Sequence, residues 1–241
     1  MVTVTAYWRP STMAEALELL ERADAIVLAG GTRLEGDPSA EQVEVVDLQA
    51  LHLDGIRPGA GDALRIGAMV TLQELADSEL VPPVVREAAR REQPSTLRAQ
   101  GTVGGCIATG RADSELLAAL LVHEAVVEVE DREVTEGIEL ERVLAELFLP
   151  AGQVVTAVTI RTAGDARAAR TARTPADRAI VAAYARSTEE GRRVALTGVA
   201  PTPVLVEPGD DLQPSGDFRG SADYRRHLAE VLLARIAEGS E

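Results

Sequence analysis

Short apolar runs, each closed by a glycine, a proline or a helix cap, recur along this chain, and no single period governs it. Ala25 to Ala29, Val43 to Leu48, Ala63 to Ala68, Val126 to Glu130, Val154 to Ile160, Ala179 to Ala185 and Val194 to Val199 each have strand length and strand composition. Between them stand helix signals. Thr12-Met13-Ala14-Glu15 and Thr71-Leu72-Gln73-Glu74 are capping boxes, in which the hydroxyl and the carboxylate satisfy each other's backbone amides. The first opens a short helix with Ala16, Leu17 and Leu20 on one face. The second opens a helix that ends near Val81, where Pro82-Pro83 breaks it and another runs to about Gln93. A helix from about Ser114 to Ala125 is led by Asp113 as cap. Ser221 caps a closing helix with Tyr224, Leu228, Val231, Leu232 and Ile236 on its apolar face. The chain is therefore mixed α and β. Leu97 to Thr109 fits neither period. Arg161 to Asp177, rich in Arg, Ala, Thr and Gly, reads as a linker or long loop, and Pro201 to Pro214 as surface turns.

Composition narrows the function. At 241 residues the chain holds one large domain or two small lobes, at about 150 residues per domain. The formal net charge of −15 disfavours nucleic acid and anionic lipid, whose phosphates need clustered cations. All 24 basic residues are arginine. Without lysine there is no Schiff-base lysine and no Walker-type phosphate loop. Cys106 is the one cysteine, and His52, His123 and His227 show no ligand spacing, so no metal site is expected. No apolar stretch reaches membrane-spanning length and no leader is visible, so a cytoplasmic location without membrane insertion is expected. Residues 124–147 hold nine Asp or Glu against two Arg and read as a solvated acidic edge.

Two glycine turns carry the chemistry: Ala29-Gly30-Gly31-Thr32, and Gly101-Thr102-Val103-Gly104-Gly105. Paired glycines let the backbone approach a ligand closely and aim successive N–H groups at one anion. Thr32 and Thr102 add hydroxyls. Backbone amides are the natural way for a lysine-free acidic chain to hold a pyrophosphate, although either turn alone is also an ordinary tight turn. Neither matches the Rossmann or P-loop spacing.

Taken together with their flanks, these turns resemble the FAD-binding (medium) subunit of molybdenum hydroxylases, the family of aerobic carbon monoxide dehydrogenase and xanthine dehydrogenase. The resemblance starts at Tyr7-Trp8-Arg9-Pro10-Ser11-Thr12 and continues through Leu28-Ala29-Gly30-Gly31-Thr32-Arg33-Leu34, similar to the family's first flavin-contacting turn. Ile66-Gly67-Ala68-Met69-Val70-Thr71 follows, and then Leu97 to Gly105, similar to the second turn. Val194 to Pro203 and Arg219 to Leu233 resemble the C-terminal domain. The resemblance implies an α+β fold: a two-lobed flavin-binding domain of the vanillyl-alcohol-oxidase type over residues 1–163, with lobes of about 1–52 and 53–163, then a small α+β domain over 175–241. It implies FAD, extended between the lobes with its pyrophosphate on the two turns. The implied partners are a two-iron two-sulfur small subunit that donates electrons and a molybdopterin-binding large subunit, with an external acceptor downstream.

The chain departs from the family at the flavin site. Cys106 stands where the family has Asn, and Arg111-Ala112-Asp113-Ser114-Glu115 where it has Ser-Pro-x-x-Asp, so that Glu115 falls at the Asp position. Aromatics number only six. Two readings stay open. Arg111 gives the pyrophosphate a fork in a remodelled FAD site, or the chain is a flavin-free relative using the cleft for a binding or biosynthetic role. Cys106 is expected as a small buried filler, His123 as a satisfied, partly buried histidine and His52 as solvent-facing. Asp113 and Glu115 are expected as a helix cap and a first-turn acid. The basic stretch of Arg161, Arg167, Arg170, Arg173 and Arg178 is either a solvated loop or a contact to an anionic cofactor or partner. No catalytic residue is identified.

Overall fold

A computed structural model describes residues 3–32, 42–146 and 152–238. In chain order the elements are β1 (Thr3–Trp8), α1 (Met13–Leu20), β2 (Ala25–Leu28), β3 (Gln42–Asp47), β4 (Ile56–Pro58), β5 (Ala63–Gly67), α2 (Leu72–Asp77), α3 (Pro83–Glu92), α4 (Ser95–Arg98), α5 (Val103–Thr109) and α6 (Glu115–Val122). There follow β6 (Val126–Glu130), β7 (Thr135–Glu139), α7 (Leu140–Ala145), β8 (Val154–Arg161), β9 (Asp165–Thr171), β10 (Val181–Thr188), β11 (Gly191–Thr197), β12 (Val204–Leu205) and α8 (Ala222–Glu238).

Three sheets organise these elements. A parallel sheet of order β1-β3-β2 carries α1 on one face, where Ala16, Leu17, Leu19 and Leu20 close over Val46 and Leu48. Both capping boxes act as helix starts. Thr71 and Glu74 exchange both bonds, whereas the Glu15 carboxylate accepts from the Ser11 amide rather than that of Thr12. A five-stranded antiparallel sheet of order β4-β5-β8-β6-β7 forms the second unit. A four-stranded antiparallel sheet of order β12-β11-β10-β9 forms the third, with Leu228, Ala229, Leu232 and Ile236 of α8 in its core.

Helix α6 ties the second and third sheets together. Its sequence Glu-Leu-Leu-Ala-Ala-Leu-Leu-Val is apolar on every side but the first residue, and all eight positions are buried, as expected of a helix enclosed by the core rather than lying on it. Its surroundings include Ile66 and Val158 of the five-stranded sheet and Ala182, Tyr184 and Ala195 of the four-stranded one.

Several expectations need correction. The stretch 161–177 is no linker: its middle is β9, an edge strand paired along its length with β10. Residues 97–109 are not irregular, since α5 starts at Thr102, whose side chain accepts the Gly105 amide. The cap of α6 is Ser114, not Asp113. The acidic stretch 124–147, by contrast, is solvated as expected: it contains β6, the edge strand β7 and α7, none of its nine Asp or Glu is buried, and α7 buries only Leu140, Val143 and Leu144.

Candidate functional site

The first glycine turn follows directly from β2, whose Leu28 lies beside Asp47 of β3. Leu28 and Ala29 are half-buried, and Gly31 has φ +70°, a left-handed backbone conformation that favours glycine. Among the described residues, the N–H groups of Gly30, Gly31 and Thr32 find no hydrogen-bond acceptor. Three successive unpaired donors on a side-chain-poor turn are suited to an anion. Arg33 and Leu34, which the resemblance adds to this turn, lie outside the described residues.

The second turn is built differently. Val103 N–H donates to the Val70 carbonyl (3.0 Å), Gly104 N–H to the Ala68 carbonyl (2.8 Å), Gly105 N–H to Thr102 Oγ1 (3.1 Å) and Cys106 N–H to the Thr102 carbonyl (3.0 Å). The first two amides anchor α5 to the segment that follows β5, and the last two close the helix's own first turn on Thr102. Gly104 is there because α5 presses on that segment: a Cβ on it would stand 2.8 Å from the Ala68 Cβ. Gly101 is buried, and a side chain there would overlap the Gln93 amide.

The two turns touch. A Cβ on Gly30 would overlap the Gln100 carbonyl oxygen, so the strand-end turn lies backbone to backbone on the chain entering Gly101. Gln93, at the end of α3, joins them from the side, its Nε2 3.3 Å from Thr32 Oγ1. The first turn thus rests on the second, and its N–H groups have no acceptor among the described residues, the kind of donor set that suits a pyrophosphate.

The remaining candidates lie at the other end of α5. Arg111 turns its fork onto Asp113, with Nε 3.1 Å and Nη2 3.2 Å from the two carboxylate oxygens. Arg178 (3.3 Å) and Arg219 (3.0 Å) reach the same carboxylate. Burial pushes the Asp113 carboxyl up, but the guanidiniums, Arg111 foremost, more than offset it and hold the group below the ordinary carboxylate range. Glu115 is buried as well. Its Oε1 accepts from Arg170 Nε (3.0 Å) and its Oε2 from the Tyr184 hydroxyl (2.8 Å). Glu92, raised by burial, accepts from Ser114 Oγ and from the Leu116 amide. This network clamps the start of α6 to the four-stranded sheet. Cys106 faces the core, and burial pushes its thiol well up, in keeping with an unreactive filler.

The basic stretch is divided by the fold. Arg170 and Arg178 join the buried network, Arg161 pairs with Asp62, and Arg173 pairs with Asp177 at 2.9 Å. His52 is exposed and left-handed (φ 53°). His123 is fully rather than partly buried. Sequence reasoning missed Gln93 and Tyr184. Nothing in the sequence marks either, because each acts through a residue far away in the chain.

With this geometry in place, comparison with known proteins is informative. Residues 3–161 match the family described as the FAD binding domain in molybdopterin dehydrogenase. The chain belongs to that family, and it is an FAD-binding medium subunit of the molybdenum hydroxylase type. Among its relatives is the Escherichia coli protein YgfM, 32% identical over 253 residues, with 97% of this chain and 95% of the relative covered. The carbon monoxide dehydrogenase medium chain of Afipia carboxidovorans is 28% identical over 279 residues, covering 96% of this chain and 95% of that one. A solved structure of Cu,Mo-CO dehydrogenase superimposes with a TM-score of 0.85 at 26% identity, over 98% of this chain and 96% of that chain. The mixed helix and strand fold is thus the expected α+β flavin-binding one. Among the described residues, no helix is long and apolar enough to cross a membrane.

Proposed function

We propose that the chain holds FAD with its pyrophosphate against the N–H groups of Gly30, Gly31 and Thr32, and relays electrons between partner subunits and an external acceptor. The observation that carries this reading is a run of three donors without an acceptor among the described residues, on a turn braced by Gln100 and Gly101. FAD supplies the redox chemistry when bound, taking up electrons and passing them on. The chain's own work is to bind, orient and shield it. The second turn chiefly supports the first, since the amides of Gly101, Val103, Gly104 and Gly105 are already engaged, which leaves Thr102 N–H as its one donor without an acceptor among the described residues. Arg111 keeps its Nε and Nη2 edge on Asp113 in this arrangement, so it meets an anion with Nη1 alone unless it leaves that carboxylate.

The division into a flavin-binding unit over 1–163 and a C-terminal unit over 175–241 is part of this proposal, with β9 added to the second unit because it pairs along its length with β10. In it the C-terminal sheet fixes Glu115 and hence the start of α6. Relatives that are the medium chain of carbon monoxide dehydrogenase and the medium subunit of nicotine 6-hydroxylase support two further partners. These are a two-iron two-sulfur small subunit as donor and a molybdopterin-binding large subunit. The single cysteine, consistent with a reducing compartment, favours the cytoplasm.

The visible spectrum of the purified protein tests the cofactor, with chromatography of what heat releases. The expected result is a flavin spectrum and released FAD, both lost in Gly31→Val. A colourless protein that takes up no added FAD would refute the reading. Bleaching of the flavin band when the copurified partners receive reducing substrate tests the relay.

A further inference from the structure

We infer that Gln93 is a positioning residue for the anionic part of the cofactor: its side-chain amide donates to Thr32 Oγ1 and so keeps the Thr32 hydroxyl proton free for a phosphate oxygen. The inference rests on the placement of FAD proposed above. Gln93 follows the last turn of α3 in extended backbone (φ −143°). Its side chain is wedged between the two glycine turns. Nε2 lies 3.3 Å from Thr32 Oγ1, and Oε1 is buried without a partner, where a Cβ on Gly101 would overlap it. A threonine hydroxyl has one proton to give and two lone pairs. When Gln93 fills a lone pair, the proton remains for another acceptor. That hydroxyl sits on the same turn as the N–H groups of Gly30, Gly31 and Thr32, which have no acceptor among the described residues. A neutral amide at position 93 thus makes Thr32 a fourth donor aimed at the anion, and Gly101 is what lets the amide come so close.

Glutamate at position 93 tests the direction of the bond. Its shape is nearly that of glutamine, but a carboxylate only accepts, so it claims the Thr32 proton and adds a negative charge beside the phosphate. FAD is titrated into protein stripped of flavin, and the dissociation constant is read from flavin fluorescence. Gln93→Glu and Thr32→Val are each expected to weaken binding by roughly tenfold or more. Thr32→Ser retains binding, and the melting temperatures of flavin-free Thr32→Val and Thr32→Ser stay at the wild-type value, whereas Gln93→Glu, which buries a carboxylate oxygen without a partner, lowers its own. If Gln93→Glu binds FAD as tightly as wild type while Gly31→Val does not bind it, Gln93 is only a strut and the inference is overturned, while the FAD site stands. If wild type itself takes up no FAD, the underlying reading fails and the inference with it. Should Gln93→Glu not fold, Thr32→Val against Thr32→Ser carries the test: equal binding by the two overturns it.

Discussion

The Tyr184 hydroxyl on β10 donates a 2.8 Å hydrogen bond to Glu115, the first residue of α6, across 69 positions of sequence. Both groups are buried, at 1% and 2% exposure. This bond and that of Arg170 are what allow a carboxylate to sit between the second and third sheets. Tyr184→Phe removes one donor and leaves the ring in place. The expected loss of unfolding free energy is about 1.5–3 kcal/mol, the range for a hydrogen bond to a charged group, read as a lower urea midpoint at unchanged slope.

Gly104 and Gly31 each belong to one of the two glycine turns, yet substitution should separate them. Gly104→Ala places a methyl 2.8 Å from the Ala68 Cβ and 3.0 Å from its carbonyl oxygen. It should lower stability by about 1–3 kcal/mol through overpacking, with or without flavin. A Cβ on Gly31 meets nothing nearer than Leu28 Cδ1 at 3.4 Å, and its φ of +70° is the constraint. Gly31→Val should therefore cost about 1–2 kcal/mol through backbone strain and also abolish flavin binding. Flavin titration of the folded, flavin-free proteins distinguishes the two: Gly104→Ala still takes up FAD and Gly31→Val does not.

Most of the architecture was legible because burial and periodicity agree. The strands β2, β3, β5, β6, β8, β10 and β11 all show as apolar runs, and Thr71 marks α2 without ambiguity. The failures share a cause, which is that tertiary contact overrode local preference. In α5, Val-Gly-Gly-Cys-Ile-Ala-Thr has poor helix formers, and the helix exists because Thr102 caps it and the Ala68 carbonyl receives Gly104 N–H. Arg and Ala crowd β9, which becomes a strand because β10 offers its full edge. At the site, the two turns stood out by their glycines. Their unequal roles did not, because which amides are already paired depends on Val70 and Ala68, far from either turn in the pattern.

Asp113 should show a marked asymmetry between partners. It is nearly buried and meets Arg111, Arg178 and Arg219, of which Arg111 is half exposed. Arg111→Ala removes the most solvated of the three and should cost less than about 1 kcal/mol. Asp113→Asn leaves Arg178 and Arg219 without their anion and should cost about 3 kcal/mol or more. Parallel urea titrations measure both. An Arg111 effect as large as that of Asp113 would mean that the three arginines do not share the carboxylate.

His123 makes stability depend on mild acid. Its Nδ1 lies 2.6 Å from the Arg161 carbonyl, to which it can only donate, and its Nε2 is buried without a partner. Burial is the main reason its pKa falls from 6.5 to about 4, with the Arg186 cation adding to it against the Arg161 bond. The unfolded chain takes up a proton near pH 6.5, whereas the folded chain resists until about pH 4. Folding is thus favoured in full above pH 6.5. The contribution is lost progressively as pH falls toward 4, where it levels off, and integrates to about 3 kcal/mol. His123→Asn keeps a donor for the Arg161 carbonyl and removes the titration. The difference in unfolding free energy between wild type and this variant, followed from pH 7 to pH 4, should shrink by that amount. A difference that stays flat across the window would show that His123 is protonated in the folded protein as readily as in the unfolded one.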